Sequence, residues 1–269
     1  SKVPNRFLYL EGASEIRLSE ETQGTYAHVV TVDCADLARA GNCRSLFSED
    51  AKIVNIDHHK TNNHFGHVNL VNVKAASTTQ VVYDWLKTTD VQIDIPLAKM
   101  IYTGLITDTG GFRYSNTSAN VLRIGGELLE LGVDPYEIAD KAIESITFDY
   151  TQLLQISLRS LRTSDDGQVA WISLSYQELQ PFIDPDFEGL VQYARNIIGV
   201  EVGVFFRETK EGSVKISFRS KSFFDVATFA KNFGGGGHAR ASGCTVEGSI
   251  DYVKKFILAK LKDELESIA

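Results

Sequence analysis

The sequence predicts an α/β protein in which a parallel sheet flanked by helices is followed by a smaller α/β domain. Short β-rich runs alternate with longer amphipathic stretches in the first half of the chain, and this alternation is typical of a parallel sheet with helices on its faces. After about Ser145 strand-like runs become more frequent. We therefore predict a first domain at 1–145, a connector helix at 146–166 and a second domain at 167–269.

The elements of the first domain follow from local patterns. Three β-rich runs predict strands at 27–33, 52–57 and 67–73. Three periodic stretches then predict helices, with Ser77 or Thr78 capping the first, Pro96 in the first turn of the second, and Gly132 closing the third. The third helix is expected to have an apolar face made by Leu122, Leu128 and Leu129.

The second domain is predicted from strands and helices that interleave. A helix from about Thr147 leads into it and ends in a polar turn at 164–167. Strands are expected at 169–174, 201–208 and 213–220, and helices at 187–197 and 223–233. The chain closes with an amphipathic helix over 251–268, whose apolar face is Val253, Phe256, Ile257 and Leu261.

The bulk composition is that of an ordinary globular protein. The 269 residues are 43% hydrophobic, and no apolar run approaches the ~20 residues that cross a bilayer. The net charge of −8 argues against a surface that coats long nucleic acid, but it is compatible with a local basic pocket for a small phosphorylated substrate. Three cysteines without C-x-x-C spacing, and a start without a signal peptide, predict a cytoplasmic protein with no membrane partner.

Acidic and imidazole side chains follow the predicted strands of the first domain. Asp33 ends the first strand, Asp57-His58-His59 ends the second, and Asp108 lies in a later glycine-containing motif. An isolated Asp-His-His could equally be a surface feature, but ligands of parallel sheets bind at the carboxyl ends of the strands. The carboxylate and imidazole set of Asp33, His58 and Asp108 predicts a site for Mn²⁺, with Mg²⁺ as the alternative.

Three basic motifs predict contacts with an anionic ligand. Arg113 follows two glycines and is placed to clamp a phosphate, although a helix end with a surface arginine would show the same pattern. Arg219 and Lys221 are spaced by one residue at a strand end, so they point the same way. The run Gly234–Gly237, before His238 and Arg240, predicts a loop whose amides cradle an anion, with both side chains as donors.

Together these motifs resemble those of a known family. The segments 56–66, 107–117, 218–221 and 234–243 are similar, in this order, to the motifs of DHH phosphoesterases that carry the DHH-associated C-terminal domain. Within that family the chain is most similar to the bacterial nanoRNases that are also 3′-phosphoadenosine 5′-phosphate phosphatases. The four motifs span nearly the whole chain, and they are more specific for the family than for the substrate.

The resemblance implies a role for each candidate residue. Asp33 would bridge two Mn²⁺ or Mg²⁺ ions, and His58 and Asp108 would bind the second ion. His59 would lie beside the scissile phosphate, with Asp57 orienting the histidines. The substrate would be held by Arg113 in the first domain and, across a cleft, by the second domain's Arg219, Lys221, Gly236, Gly237 and His238.

One motif of the family is absent from this sequence. The family's first motif, His-x-x-x-Asp-x-Asp after a strand, supplies three further metal ligands, and the chain opens at a point that resembles the segment after it. Two explanations are open: the first domain lacks its N-terminal part in this sequence, or the protein is naturally short and has lost the reaction. We favour the first, because a sheet without its first strand exposes an unpaired edge.

The expected function is two-metal hydrolysis of phosphoesters. The expected substrates are short RNA or DNA oligonucleotides, cleaved to mononucleotides, and 3′-phosphoadenosine 5′-phosphate, cleaved to AMP. The alternatives are a phosphodiesterase for pApA or cyclic dinucleotides and a nucleotide-binding protein without catalysis, which the absent motif favours. A homodimer is a further expectation.

Overall fold

The computed structural model describes residues 2–183, 185–210 and 212–268, and the chain divides into two compact units at Ser145. The first unit contains the strands β1 Tyr26–Val32, β2 Phe47–Asp57 and β3 Val68–Val71. Its helices are α1 Thr78–Leu86, α2 Ile95–Asp108, α3 Ala119–Glu130 and α4 Pro135–Ala139, and short 3₁₀ segments precede β1 and β2. The predicted order of elements in this half is therefore confirmed.

The three strands of the first unit form a parallel sheet in the order β1-β2-β3. In the register, Val30 of β1 pairs with Val54 of β2, and Ile56 of β2 pairs with Leu70 of β3. Because the strands are parallel, the residues that follow β1 and β2 meet at one edge of the sheet. This edge carries Asp33 and the segment that starts at Asp57.

The helices of the first unit begin at side-chain caps and bury one face. Ser77, rather than Thr78, caps α1, since its hydroxyl accepts from the backbone of Gln80. The core face of α3 is Val121, Ile124 and Leu128, with spacings of three and four residues. Leu122 and Leu129, expected on that face, are 54% and 39% exposed, because each lies one position away from a buried residue.

The second unit is built on a six-stranded sheet in the order β4-β5-β6-β7-β9-β8. Its strands are β4 Arg162–Thr163, β5 Val169–Leu174, β6 Val202–Glu208, β7 Ser213–Ser220, β8 Gly236–His238 and β9 Ala241–Glu247. Its helices are α5 Phe148–Arg159, α6 Tyr176–Leu179, α7 Leu190–Arg195, α8 Val226–Lys231 and α9 Ile250–Ile268. Only the β5–β6 pair is parallel among these strands.

The two faces of this sheet are covered differently. One face buries Val204, Phe206 and Phe218 against α8 and α9. On the other face, α5 and α7 cover β5 and part of β6, with Leu153 and Ile172 in the contact. Beyond β6 this second face carries polar side chains and glycines.

Two predictions differ from the observed second unit. The helix expected to connect the domains ends at Arg159 and packs within the second unit, because Leu153 joins its core. The glycine run was expected to be a loop, but Gly236–His238 forms the edge strand β8, paired antiparallel with β9. Glycine adopts strand geometry here because β9, which follows β8 after the two-residue turn at 239–240, supplies the hydrogen bonds. Among the described residues, no helix is long and apolar enough to cross a membrane.

Candidate metal centre

Side chains from three separate segments converge at the carboxyl edge of the first unit's sheet. His58 Nε2 lies 3.5 Å from an oxygen of Asp33 and 3.9 Å from an oxygen of Asp108. His59 Nδ1 lies 3.8 Å from the same oxygen of Asp33 and 2.7 Å from Asp57 Oδ1. The topology explains this convergence: Asp33 follows β1, Asp57 ends β2 and Asp108 ends α2.

The ring of His58 is held in the form that can bind a cation. Its Nδ1 is 3.3 Å from the carbonyl oxygen of Ala75. A carbonyl can only accept a hydrogen bond, so Nδ1 carries the proton and Nε2 keeps its lone pair in the neutral ring. That lone pair belongs to the nitrogen nearest Asp33 and Asp108. A backbone carbonyl that fixes the tautomer in this way is common behind metal-binding histidines.

Asp57 is buried and orients His59. Its side chain is fully inaccessible, and it accepts hydrogen bonds from His59 Nδ1 at 2.7 Å and from Asn62 Nδ2 at 2.6 Å. Burial alone would raise the pKa of Asp57, but these hydrogen bonds outweigh it and hold the pKa below its usual value. The carboxylate therefore stays charged and keeps the proton of His59 on Nδ1.

Asn62, which is not among the residues predicted from the sequence, connects this pair to the core of the sheet. Its side-chain carbonyl accepts from Asn55 Nδ2 at 3.2 Å and from the backbone of His64 at 2.7 Å. Its amide donates to Asp57 Oδ2 and, at 3.1 Å, to the carbonyl of Cys34. The two amide hydrogens of Asn62 thus have two different acceptors, and its side-chain oxygen has two different donors. These four hydrogen bonds fix the Asn62 side chain in one orientation. No local pattern marks such a residue, because its partners come from three segments.

Asp33 is held in an unusual backbone conformation. Its φ is 58°, in the left-handed region that few non-glycine residues adopt. Its amide donates to the carbonyl of Ile56 at 3.0 Å, and its carboxylate accepts from Thr78 Oγ1 at 2.7 Å. Strained backbone of this kind clusters at functional sites. The local sequence pattern marks Thr78 only as a candidate helix cap and does not predict this contact with Asp33.

Asp108 lies in a crowded acidic environment. Its pKa is raised to about 6: desolvation and, less strongly, the nearby Asp33 raise it, whereas His58 and His59 lower it. Its backbone carbonyl accepts from Asn116 Nδ2 at 3.1 Å, which ties the end of α2 to the following turn. A divalent cation would relieve the repulsion between the two carboxylates.

These donors fit a divalent metal ion. Ligand atoms of Asp33, His58 and His59 all lie within 4.8 Å of one another. A mixed set of carboxylate oxygens and imidazole nitrogens suits first-row divalent ions. The structure thus brings together five of the six residues that the sequence indicated in this unit, namely Asp33, Asp57, His58, His59 and Asp108. Their individual roles stay predictions.

Arg113 lies on the turn after α2. Gly110 and Gly111 form this turn with φ values of 57° and 71°, and a Cβ on Gly110 would overlap the ring of Tyr114. Arg113 is exposed, and its Nε donates to the carbonyl of Gly110 at 2.5 Å. The conformation of this turn therefore requires glycine at position 110. The predicted phosphate contact of Arg113 is not tested by this geometry.

In the second unit, Arg219 and His238 share one row of the sheet. Both are paired in register with Ala241, so their side chains are on the same face. Gly237 must be glycine, because its φ is 143° and a Cβ would lie 2.5 Å from the carbonyl of Ala241. Gly236 has open space above its Cα and no such constraint.

Two cations of the second unit contact the backbone. Lys221 Nζ donates to the carbonyl of Ile197 at 2.6 Å. Arg240, expected to face an anion, instead donates to the carbonyls of Ser222 and Phe224. It therefore stabilises the turn that follows β7, and its expected contact with an anion stays a prediction.

Comparisons with known proteins are consistent along the chain. The family model described as "DHH family, N-terminal domain" matches residues 2–105, and that of the "DHHA1 domain" matches residues 180–267. The bifunctional oligoribonuclease and PAP phosphatase NrnA of Thermus thermophilus is 33% identical over 97% of this chain and 79% of its own length. The protein of the same name from Bacillus subtilis is 27% identical over 90% of this chain and 80% of its own.

A solved structure resembles the whole chain. The crystal structure of an exopolyphosphatase-related protein from Bacteroides fragilis has a TM-score of 0.89 and 28% identity. It covers 98% of this chain, which spans 82% of that one. The mixed α/β architecture of both units is therefore shared with a known protein.

Proposed function

This chain belongs to the DHH family of phosphoesterases, and we propose that it is a hydrolase that cleaves short oligonucleotides to mononucleotides. We propose dephosphorylation of 3′-phosphoadenosine 5′-phosphate to AMP as its second activity. The similar proteins from Thermus thermophilus and Bacillus subtilis carry both activities in their names. The observation on this chain that supports the proposal most directly is the convergence of Asp33, His58 and Asp108.

We propose that Asp33, His58 and Asp108 hold the metal, with Mn²⁺ as the preferred ion, two ions per site and Mg²⁺ as a substitute. The lone pair of His58 Nε2 and the carboxylates provide the donors. When bound, such ions activate water and neutralise charge on a phosphate oxygen. Thr78 keeps one oxygen of Asp33 in place through its 2.7 Å hydrogen bond.

His59 is proposed to contact the scissile phosphate. Asp57 holds the Nδ1 proton of His59, so in the neutral ring Nε2 is the basic nitrogen and, once protonated, a donor to a phosphate oxygen. Arg113 would add a bidentate contact to the same phosphate after it leaves the carbonyl of Gly110.

The second unit is proposed to hold the nucleotide. Arg219 and His238 lie on one face of the sheet, and Gly236 leaves open space beside them. Gly237 provides the backbone path that the edge strand needs. Lys221 would exchange its contact with the carbonyl of Ile197 for a phosphate oxygen.

A direct assay tests this function. The protein is incubated with Mn²⁺ and an RNA pentanucleotide, and products are separated by chromatography. We expect mononucleotides, a complete stop with EDTA, and loss of turnover in the variant Asp108→Asn. The variant Asp90→Asn is the matched control, since Asp90 is an exposed carboxylate of the same unit.

Three outcomes would contradict the proposal. Unchanged turnover in Asp108→Asn would exclude the assigned centre. Binding of nucleotide without any turnover, with or without Mn²⁺, would favour the non-catalytic alternative. Turnover of pApA in preference to both the pentanucleotide and the bisphosphate would favour the dinucleotide phosphodiesterase. The predicted cytoplasmic location and homodimer are separate proposals, for fractionation and sedimentation experiments.

A further inference from the structure

The uncovered part of the second unit's sheet forms a trough of about 610 Å³. Its walls include Phe187, Arg207, Lys215 and Arg219. One end of the trough contains Arg219 and the glycine run, which the proposed function already uses. The other end contains Arg207 and Lys215, which that function does not use. We call this second end the distal end.

Strand register fixes how the trough is built. At the near end, Arg219 pairs with Ala241, which pairs with His238. In the middle, a row of Phe205, Ser217, Gly243 and Gly236 crosses the sheet. At the distal end, Arg207 pairs with Lys215, which pairs with Thr245. All these residues are on the same face, because directly paired and alternate residues of a sheet point the same way.

In the middle of the trough, beyond Phe205, the sheet carries only small side chains or none. Ser217, Gly243 and Gly236 have small side chains or none, so a ligand can lie close to the sheet between the two cationic ends. Gly236 is informative because an added Cβ would meet nothing within 4 Å and its φ is not in the left-handed region. Neither packing nor backbone conformation requires glycine there, whereas the close approach of a ligand would.

The two distal cations face each other without compensation. Like charges at directly paired positions destabilise a sheet. Among the described residues, neither Arg207 nor Lys215 has a carboxylate partner or a side-chain hydrogen bond; Arg207 packs its guanidinium 4.2 Å from the ring centre of Phe187. Glu188 is the acidic side chain in the described lining. In a chain of net charge −8, an unneutralised cation pair in a cavity indicates an anionic ligand.

The distance between the ends sets the size of that ligand. Lys215 and Arg219 are four residues apart on β7, which is roughly 14 Å along an extended strand. Consecutive nucleotides of a stacked strand rise about 3.4 Å, so a phosphate at the distal end lies several nucleotides from one at the near end. A single nucleotide cannot engage both ends, but an oligonucleotide can.

We propose that Arg207 and Lys215 bind the phosphodiester backbone of an oligonucleotide beyond the nucleotide held at Arg219 and His238, and so set the preference for substrate length. This inference rests on the proposed function, which places the terminal nucleotide at the near end. Phe187 would offer its ring to a base, since aromatic faces bind single-stranded bases by stacking. The cations contact only phosphates, so the distal end is expected to be indifferent to base sequence.

The test compares two pairs of charge removals on opposite faces of one sheet. The double variant Arg207→Gln/Lys215→Gln removes the distal cations. The control Lys255→Gln/Lys260→Gln removes two exposed charges from α9, which packs on the other face. Both variants are made in the complete chain, and thermal melting verifies that they fold.

Binding is measured first, without metal, by fluorescence anisotropy of a labelled RNA pentanucleotide and a labelled dinucleotide. For the distal variant we expect a loss of about 10- to 100-fold for the pentanucleotide, less than two buried charged hydrogen bonds would give, because Lys215 is exposed. The dinucleotide and the control variant should stay within twofold of the unchanged protein. The slope of log affinity against log salt should fall in magnitude by about 1.4, at about 0.7 per phosphate contact of a single strand.

Turnover with Mn²⁺ is measured second. We expect kcat/KM of the distal variant to fall for the pentanucleotide and to stay unchanged for the dinucleotide and 3′-phosphoadenosine 5′-phosphate. Pentanucleotide binding within twofold of the unchanged protein, or equal losses for both lengths, would overturn the inference. If the unchanged protein turns over no nucleotide, the proposed function fails, and the metal-free binding experiment still decides the role of the distal end.

Discussion

The metal centre of the first unit and the trough of the second unit differ in how their side chains are held. In the metal centre three side chains have a hydrogen-bond partner: Thr78 for Asp33, the carbonyl of Ala75 for His58, and Asp57 for His59. In the trough, Lys215 is exposed and Arg207 rests on an aromatic ring. Chemistry requires fixed geometry, whereas a phosphodiester chain can be held by cations that adapt to it. The predictions below test this difference.

The largest effect is expected at Asp33. The variant Asp33→Asn keeps the side chain's shape but removes a charged ligand, so we expect kcat with Mn²⁺ to fall on the order of 1,000-fold, equivalent to several kcal/mol. Oligonucleotide binding measured without metal should remain, since the trough belongs to the second unit. Steady-state kinetics and anisotropy are the measurements, with Asp90→Asn as control. If Asp33→Asn retained its turnover, the first unit's metal centre would not be the site where fixed geometry supports catalysis.

The second effect tests whether positioning depends on Asn62. In Asn62→Ala, Asp57 and His59 lose the side chain that orders them, and we expect kcat or Mn²⁺ affinity to fall about 10- to 100-fold. The buried Asn55 would also lose its partner, at about 1–3 kcal/mol of unfolding free energy.

The matched control for this variant is Asn63→Ala, because Asn63 is exposed and adjacent. Mn²⁺ titrations of turnover separate affinity from kcat, and urea unfolding measures stability. A loss of stability with unchanged kcat and unchanged Mn²⁺ dependence would show that Asn62 is purely structural.

These residues also show what sequence reasoning can reach. Asp33, His58 and Asp108 were predictable because each lies at the end of an element, and parallel strands bring such ends together. Asn62 and Thr78 were missed because their roles depend on tertiary contacts, such as the bond from Thr78 to a residue 45 positions away.

The second unit was harder to predict for related reasons. The glycine run pairs with β9 through a two-residue hairpin turn at 239–240, but consecutive glycines carry no strand pattern that would predict it. Arg240 donates to carbonyls that only the folded turn brings within its reach. Lys215 could have been found, since it alternates with buried residues along β7, whereas Arg207 follows five consecutive buried residues of β6 and shows no such alternation. Only the strand register shows that these two residues pair directly and therefore form a pair of facing cations.

The third prediction concerns a buried anchor in the second unit. Glu201 accepts hydrogen bonds from the backbone of Ser222, Phe223 and Phe224. Burial raises its pKa, but these hydrogen bonds outweigh it and leave the pKa below the usual 4.5. Because the pKa of Glu201 is lower in the folded state than in the unfolded state, the ionised carboxylate stabilises the folded state above pH 4.5. This stabilisation is lost as the pH falls through the folded-state pKa.

We therefore expect Glu201→Gln to destabilise the second unit by about 1–3 kcal/mol at pH 7 and to reduce its acid sensitivity. Urea unfolding between pH 3 and 7 measures both, and the exposed Glu247 provides the control Glu247→Gln. An unchanged pH profile would show that the turn carrying Lys221 is not anchored by this carboxylate.

The smallest effect is expected at the distal end of the trough. Lys215→Thr removes the cation opposite Arg207 and adds a β-branched residue to β7. We expect stability to rise by about 0.5 kcal/mol while pentanucleotide binding weakens. Urea unfolding measures the gain, and Lys255→Thr is the control for a charge removed elsewhere. A loss of stability would mean that repulsion between Arg207 and Lys215 does not destabilise the sheet.

The left-handed backbone of Asp33 has a practical consequence. Asparagine is one of the few residues that adopts this conformation readily, so Asp33→Asn should preserve the turn after β1. The same replacement is expected to leave the protein folded but inert. Crystals of this variant could then be soaked with intact oligonucleotides, which would be trapped uncut and show the path of the chain nucleotide by nucleotide.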